Sequence, residues 1–179
     1  MVTTPVGQQV FSLEDYMQNP PDRMEWVDGK LVEKNGMTFK HGVTQSRLDY
    51  YWRSYKISSG QSGEVLTETP CRTNRQGRRP DVAYIPQELL EQYGEFDVLP
   101  VSFPLVAEVA SPTDLVEDFF AKATEYLESG CQEVWLVLPE NQWIFVVTQT
   151  QRLWFGKGEV VRTQEVLKGF SVAVDELLD

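Results

Sequence analysis

The stretch Pro104-Leu-Val-Ala-Glu-Val-Ala-Ser111 reads as an apolar strand with one charge, Glu108, in its middle. Strands alternate faces, so Glu108 shares a side with Val106 and Ala110. Upstream, Arg78-Arg-Pro-Asp-Val-Ala-Tyr-Ile85 sets Asp81 directly before a second apolar run. Burying a carboxylate without a partner is costly, so such acids end in an ion pair, a metal site or an exposed edge. Two acidic strands in one small sheet point to carboxylates that converge, and a divalent cation relieves their repulsion. Oxygen donors without histidine suit Mg2+ or Mn2+ rather than zinc. An ion pair of Glu108 with an arginine such as Arg79, and a solvated strand start for Asp81, account for the same two acids.

A third residue shifts the balance towards a site. Residues 80–140 hold thirteen acids and one base, Lys122. Lys122 lies three residues after Phe119 and four before Tyr126, on the border of an apolar helical stripe formed by Leu115, Phe119, Ala123 and Tyr126/Leu127. From that border a lysine buries its stem and directs its ammonium towards the strand ends. The alternative is a surface pair with Asp118 and a contact with Glu125.

Working outward, Ser12-Leu-Glu-Asp15 predicts a capped helix that stops at Pro20-Pro21. Asp28-Gly29 between two apolar-rich arms predicts a type I′ hairpin. Helical spacing runs from about His41 to Ser58 and ends at Gly60. Residues 63–73 and 78–85 read as strands around the turn Asn74-Arg-Gln-Gly77, and Pro86–Tyr93 as a short helix. A helix opening at Ser111-Pro-Thr-Asp114 and ending at Gly130 follows the Glu108 strand. Glu133–Pro139, Gln142–Thr150, Gln151–Val161 and Phe170–Leu178 read as strands, with turns at Pro139-Glu-Asn141 and Gly156-Lys-Gly158. The pattern predicts an α/β or α+β fold, a single domain over 1–179 with one mixed sheet flanked by helices.

Cys71 and Cys131 are too few for a disulfide framework and are expected to be free thiols. The first sixteen residues lack a secretory pattern and no run is long enough to span a membrane, so a cytoplasmic protein is expected. The single histidine, His41, excludes a zinc site needing two. Net charge is −11, but residues 34–79 carry nine Lys or Arg against three acids. Arg72, Arg75, Arg78 and Arg79, directly before Asp81, are candidates for phosphate contacts with DNA.

Pro80-Asp81, the strand with Glu108-Val109-Ala110-Ser111-Pro112, and a helix bearing Lys122 and Tyr126 resemble the PD-(D/E)xK nuclease superfamily. Within it the chain is similar to a large family of restriction-endonuclease-like proteins long filed as a domain of unknown function. The resemblance covers nearly the whole chain, including the Glu25-Trp-Val-Asp-Gly-Lys-Leu-Val32 hairpin, His41 heading a helix, and Glu133-Val-Trp-Leu-Val-Leu-Pro139. It implies a restriction-endonuclease-like mixed sheet, with Asp81 and Glu108 as metal ligands. The usual lysine two residues after the second acid is Ala110 here. In the family resembled, that lysine comes from the following helix, where Lys122 stands. Glu25 is implied as a further acid near the metal, and His41 as an auxiliary group, though a histidine near a helix start also serves as a cap or polar contact.

The leading expectation is a Mg2+- or Mn2+-dependent endonuclease acting on DNA. A catalytically silent nuclease fold that binds nucleic acid or protein is the alternative, since Ala110 replaces the usual lysine. A third reading is an interaction module, homodimeric through the aromatic strands with Trp143, Phe145, Trp154 and Phe155; core packing explains those aromatics equally well.

Overall fold

The computed structural model describes residues 11–34 and 38–179; most of the leader reading, on residues 1–10, lies outside them. The Asp28-Gly29 turn forms as the sequence predicts: φ is 48° and 82° at the two positions, the both-positive pattern of a type I′ turn. It joins β1 (Met24–Val27) to β2 (Lys30–Glu33). Helix α1 (Leu13–Gln18) precedes them with the expected capping box, Ser12 and Asp15 exchanging hydrogen bonds. Strand β1 also pairs β5 (Gly77–Arg78), which pairs β4 (Cys71–Arg72), so a small sheet runs β2-β1-β5-β4. The ring of Tyr16 lies where a side chain at residue 77 would project, so only glycine lets α1 close on this sheet.

The main sheet has six strands in the order β10-β9-β8-β7-β6-β3. They are β3 (Glu64–Thr67), β6 (Val82–Ile85), β7 (Leu105–Val109), β8 (Glu133–Leu138), β9 (Trp143–Thr148) and β10 (Arg152–Phe155). Every pair is antiparallel except β7 with β8. A parallel pair needs a crossover, and α4 (Val116–Glu128) supplies it. One face of the sheet packs on Leu48 and Trp52 of α2 (Phe39–Ser58) and on the C-terminal segment. The other packs on Ala123, Tyr126 and Leu127 of α4. Helix α3 (Gln87–Tyr93) links β6 to the loop before β7.

Three expectations need correction. Among the described residues there are three sheets rather than one: the β2-β1-β5-β4 sheet stands apart from the main sheet, and β11 (Val160–Arg162) pairs with β12 (Ser171–Ala173) as a third. The turn expected at Gly156-Lys-Gly158 does form, between β10 and β11. The last apolar run is only partly strand: Val174–Leu178 form a helix, α5, whose Val174 and Leu177 are fully buried. The helix after β7 begins at Val116, because Ser111–Asp114 close a turn of their own through Ser111 N–H to Asp114 Oδ2 (2.7 Å). Leu115 is consequently exposed rather than part of the buried stripe. Cys71 and Cys131 are free and buried.

Candidate active site

Asp81 leads into β6, and continuing the β6–β7 register one residue past Val82–Ala107 sets it opposite Glu108. Both are almost fully buried, at 2% and 3% exposure. Asp81 Oδ2 accepts the backbone N–H of Val109 at 2.6 Å and lies 3.4 Å from His41 Nε2. Its Oδ1 is held at 2.6 Å by the ammonium of Lys34, at the end of β2. Burial pushes the Asp81 pKa up, but the Lys34 charge and the His41 hydrogen bond outweigh it and leave the group below the usual aspartate range.

Glu108 Oε1 accepts from the Tyr126 hydroxyl at 2.8 Å and lies 2.9 Å from Lys122 Nζ. Residues 122 and 126 sit one turn apart on α4, so both reach over the same end of β7. Lys122 is shared with Glu25 of β1, also at 2.9 Å. Glu25 takes in addition the Arg79 backbone N–H at 2.9 Å and the Arg78 guanidinium at 3.1 Å. Burial raises the Glu108 pKa, Lys122 pulls it down and the facing Asp81 charge raises it again, leaving it at about 7. Glu25 goes the other way: burial is outweighed by Lys122 and Arg78, and its pKa falls. Lys122, disfavoured as a cation by burial, is held charged by Glu108 and Glu25.

These groups form the floor of a cleft of about 700 Å³ between the hairpin, the end of β7 and α4. Its lining carries eight carboxylates against Lys34, Arg78 and Lys122. Among the described residues no three of His, Cys, Asp or Glu stand in an arrangement that could hold a metal ion. The ammonium groups of Lys34 and Lys122 lie on the carboxylates instead. The pair Asp81 and Glu108 nonetheless suits a hard cation: both are oxygen donors, and they face each other across β6 and β7. Mg2+ is commonly held by one or two carboxylates with water completing the shell.

The model of the Uma2 family, described as "Putative restriction endonuclease", matches residues 8–175. The chain belongs to the Uma2 family. A solved structure, "a putative nuclease belonging to DUF820" from Anabaena variabilis ATCC 29413, superposes with a TM-score of 0.81 at 20% identity. The match covers 93% of this chain and 96% of that one, and it shows a shared fold. None of the curated proteins compared with the chain matches it. No helix among the described residues is long and apolar enough to cross a membrane.

Against this Uma2 fold, the residues singled out from sequence divide into two groups. Asp81, Glu108, Lys122, Glu25 and His41 all line the cleft. Lys122 makes its ion pairs with Glu108 and Glu25 rather than with helix neighbours. Of the four arginines, only Arg78 lines the cleft, and it is bound to Glu25 and Glu125. Arg79 is buried, its guanidinium on the carbonyls of Glu68 and Pro21. Arg72 lies 3.6 Å from Glu14, and Arg75 is exposed. The pairing of Glu108 with Arg79 is thus excluded.

Sequence reasoning missed Lys34, Glu68 and Gln45. Gln45 donates to Glu68 Oε1 at 3.0 Å and to the Asp81 carbonyl at 2.9 Å. One signal was available: the buried face of α2 is polar at His41, Thr44 and Gln45 before turning apolar at Leu48 and Trp52. Polar residues in a stripe of helical period mark where a helix leaves the core and meets a site. Lys34 follows an exposed strand, and nothing in its neighbourhood distinguishes it from a surface lysine.

Proposed function

We propose that this chain is a divalent-metal-dependent endonuclease that hydrolyses phosphodiester bonds in DNA. The observation that carries the reading is the meeting of Glu108, Asp81 and Lys122 at the floor of one cleft, from three separate elements. Asp81 and Glu108 would hold the Mg2+ or Mn2+, which when bound lowers the pKa of a water and engages a non-bridging phosphate oxygen. The chain's own groups do the rest. The Val109 N–H and the Tyr126 hydroxyl fix the two carboxylates. Glu25 anchors Lys122, whose ammonium orients a water or offsets the charge that grows on the phosphate.

The carboxylate surplus repels a phosphodiester in the absence of cations, so a strict metal requirement is expected. The test is nicking of supercoiled plasmid by wild type with Mg2+, Mn2+ or EDTA, beside Asp81→Asn, Glu108→Gln and Lys122→Met. Cutting should need metal, and each variant, shown to be folded by circular dichroism, should lose roughly a hundredfold or more. No cutting of duplex or single-stranded DNA by wild type with metal, or full cutting by Asp81→Asn, would overturn the reading.

A further inference from the structure

Lys34 holds more acceptors than a structural ion pair needs. Its Nζ lies 2.6 Å from Asp81 Oδ1, 2.9 and 3.1 Å from the two oxygens of Glu68, and 2.8 Å from the Arg79 carbonyl. Its side chain is only 16% exposed. Burial alone would favour the neutral amine, but the charges of Asp81, Glu108 and Glu68 keep the group above the ordinary lysine pKa. Lys34 is therefore a permanent cation on a carboxylate that faces Glu108. The two Asp81 oxygens are not equivalent. Oδ2 is fixed by a strand N–H, whereas Oδ1 is held by a flexible four-carbon arm. The arm has somewhere to go. Glu68 and the Arg79 carbonyl can keep the ammonium satisfied after Asp81 is released. Glu68 itself sits at φ 51°, in the left-handed region that non-glycine residues seldom adopt, at the turn following β3.

We propose that Lys34 is a built-in stand-in for the divalent cation: it neutralises Asp81 in the metal-free protein and withdraws onto Glu68 when metal binds. The inference rests on the metal site proposed above, with Lys34 as a positioning residue that sets how tightly the site loads. It makes Lys34 and Glu68 act with opposite sign. Removing Lys34 deletes the competitor. Removing the Glu68 charge deletes its resting place, and the ammonium stays on Asp81.

Mn2+ binding to the whole protein, read by loss of the free-ion signal in electron paramagnetic resonance, distinguishes the cases. Lys34→Met should bind about tenfold tighter than wild type, the loss of one competing contact, and Glu68→Gln more weakly. Asp81→Asn should not bind. A purely structural Lys34 would make both of the first two variants bind more weakly. If Lys34→Met binds equally or more weakly while Asp81→Asn abolishes binding, the stand-in role is overturned and the metal site stands. If wild type does not bind but Lys34→Met does, the stand-in role is supported and metal loading of the unaided wild type falls. If no variant binds, both fall. Should Lys34→Met fail to fold by circular dichroism, Lys34→Gln, which keeps a polar partner for Asp81 without the charge, decides: tighter binding than wild type supports the role, and equal or weaker binding overturns it.

Discussion

Two glutamates lie on the adjacent parallel strands β7 and β8, both inside the protein, and they are satisfied in opposite ways. Glu133 is fully buried. One of its oxygens accepts the Trp135 indole at 2.7 Å, and the other accepts the backbone N–H groups of Gln164 and Glu165, each at 2.8 Å, with that of Val166 at 3.4 Å. Glu108, on the opposite face three positions further along the sheet, is met by an ammonium and a hydroxyl on side chains. Backbone donors cannot leave without unfolding the 164–166 turn. A lysine can move, exchange partners or give way to another cation. The difference teaches that burial of an acid does not mark a site; the mobility of its partners does.

The comparison can be broken first by isosteric substitution. Glu108→Gln should lower plasmid nicking by roughly a thousandfold, equivalent to about 4 kcal/mol of barrier. Its unfolding midpoint in urea should barely move at pH 5, where Glu108 is itself protonated, because Lys122 retains Glu25 and Tyr126 retains an oxygen acceptor. Next in size, Lys122→Met leaves Glu25 and Glu108 without their shared cation and should cost roughly 3 kcal/mol of stability. Adding Glu25→Gln to Lys122→Met should return part of that loss in a double-mutant cycle, whereas additive losses would mean that the pair is uncoupled. Glu133→Gln is the mirror image of Glu108→Gln. It should cost roughly 2 kcal/mol, because an amide offers one acceptor oxygen where two are used. Nicking per folded molecule should be unchanged.

A smaller effect follows from pH. The Glu108 pKa is raised from its ordinary 4.5 to about 7, so between those values the folded protein binds more protons there than the unfolded chain. The contribution of this group is therefore fully present below pH 4.5 and is lost as pH rises through 7. Urea denaturation from pH 5 to 7.5 should show that decline in wild type and in Glu133→Gln; in Glu108→Gln only the decline from His41 should remain, a group that burial pushes down and Asp81 pushes further up. Smallest of all, Arg75→Ala should leave stability within about 0.5 kcal/mol, since the side chain is exposed. It should flatten the salt dependence of DNA binding slightly if it meets a phosphate.

Much of this was legible in the sequence, for reasons that are local. Asp28-Gly29 requires positive φ at two successive residues, and a hairpin meets that need. An isolated charge in an apolar strand announced Glu108, and a lone lysine bordering a helical stripe announced Lys122. Glu133 opens an apolar strand much as Asp81 does and has no place in the cleft, so an acid leading into such a strand does not by itself mark the site. The arginines before Asp81 looked available because their partners, Glu25, Glu125 and Glu14, are distant in sequence. Lys34 was hidden for the same reason: its meaning comes from Asp81, 47 residues away. Helix α5 was read as strand because five apolar-rich residues fit either period, and docking against α2 decided between them.

The small sheet carries Glu25 and Arg78, and Lys34 follows directly on its β2 edge; all three meet Asp81, Lys122 and Glu125 beside the main sheet. The cleft is thus also a seam, and its fastening is ionic where most seams inside a domain are greasy. Removing one fastening cation, as in Lys122→Met, should loosen it ahead of the apolar layers on either side, and amide protons of β1 and β2 should then exchange together in a partial opening that leaves β7 and β8 protected. Under the proposed function the same charges would serve as both reagent and rivet, so a change that retunes the chemistry would also change how readily the hairpin peels away.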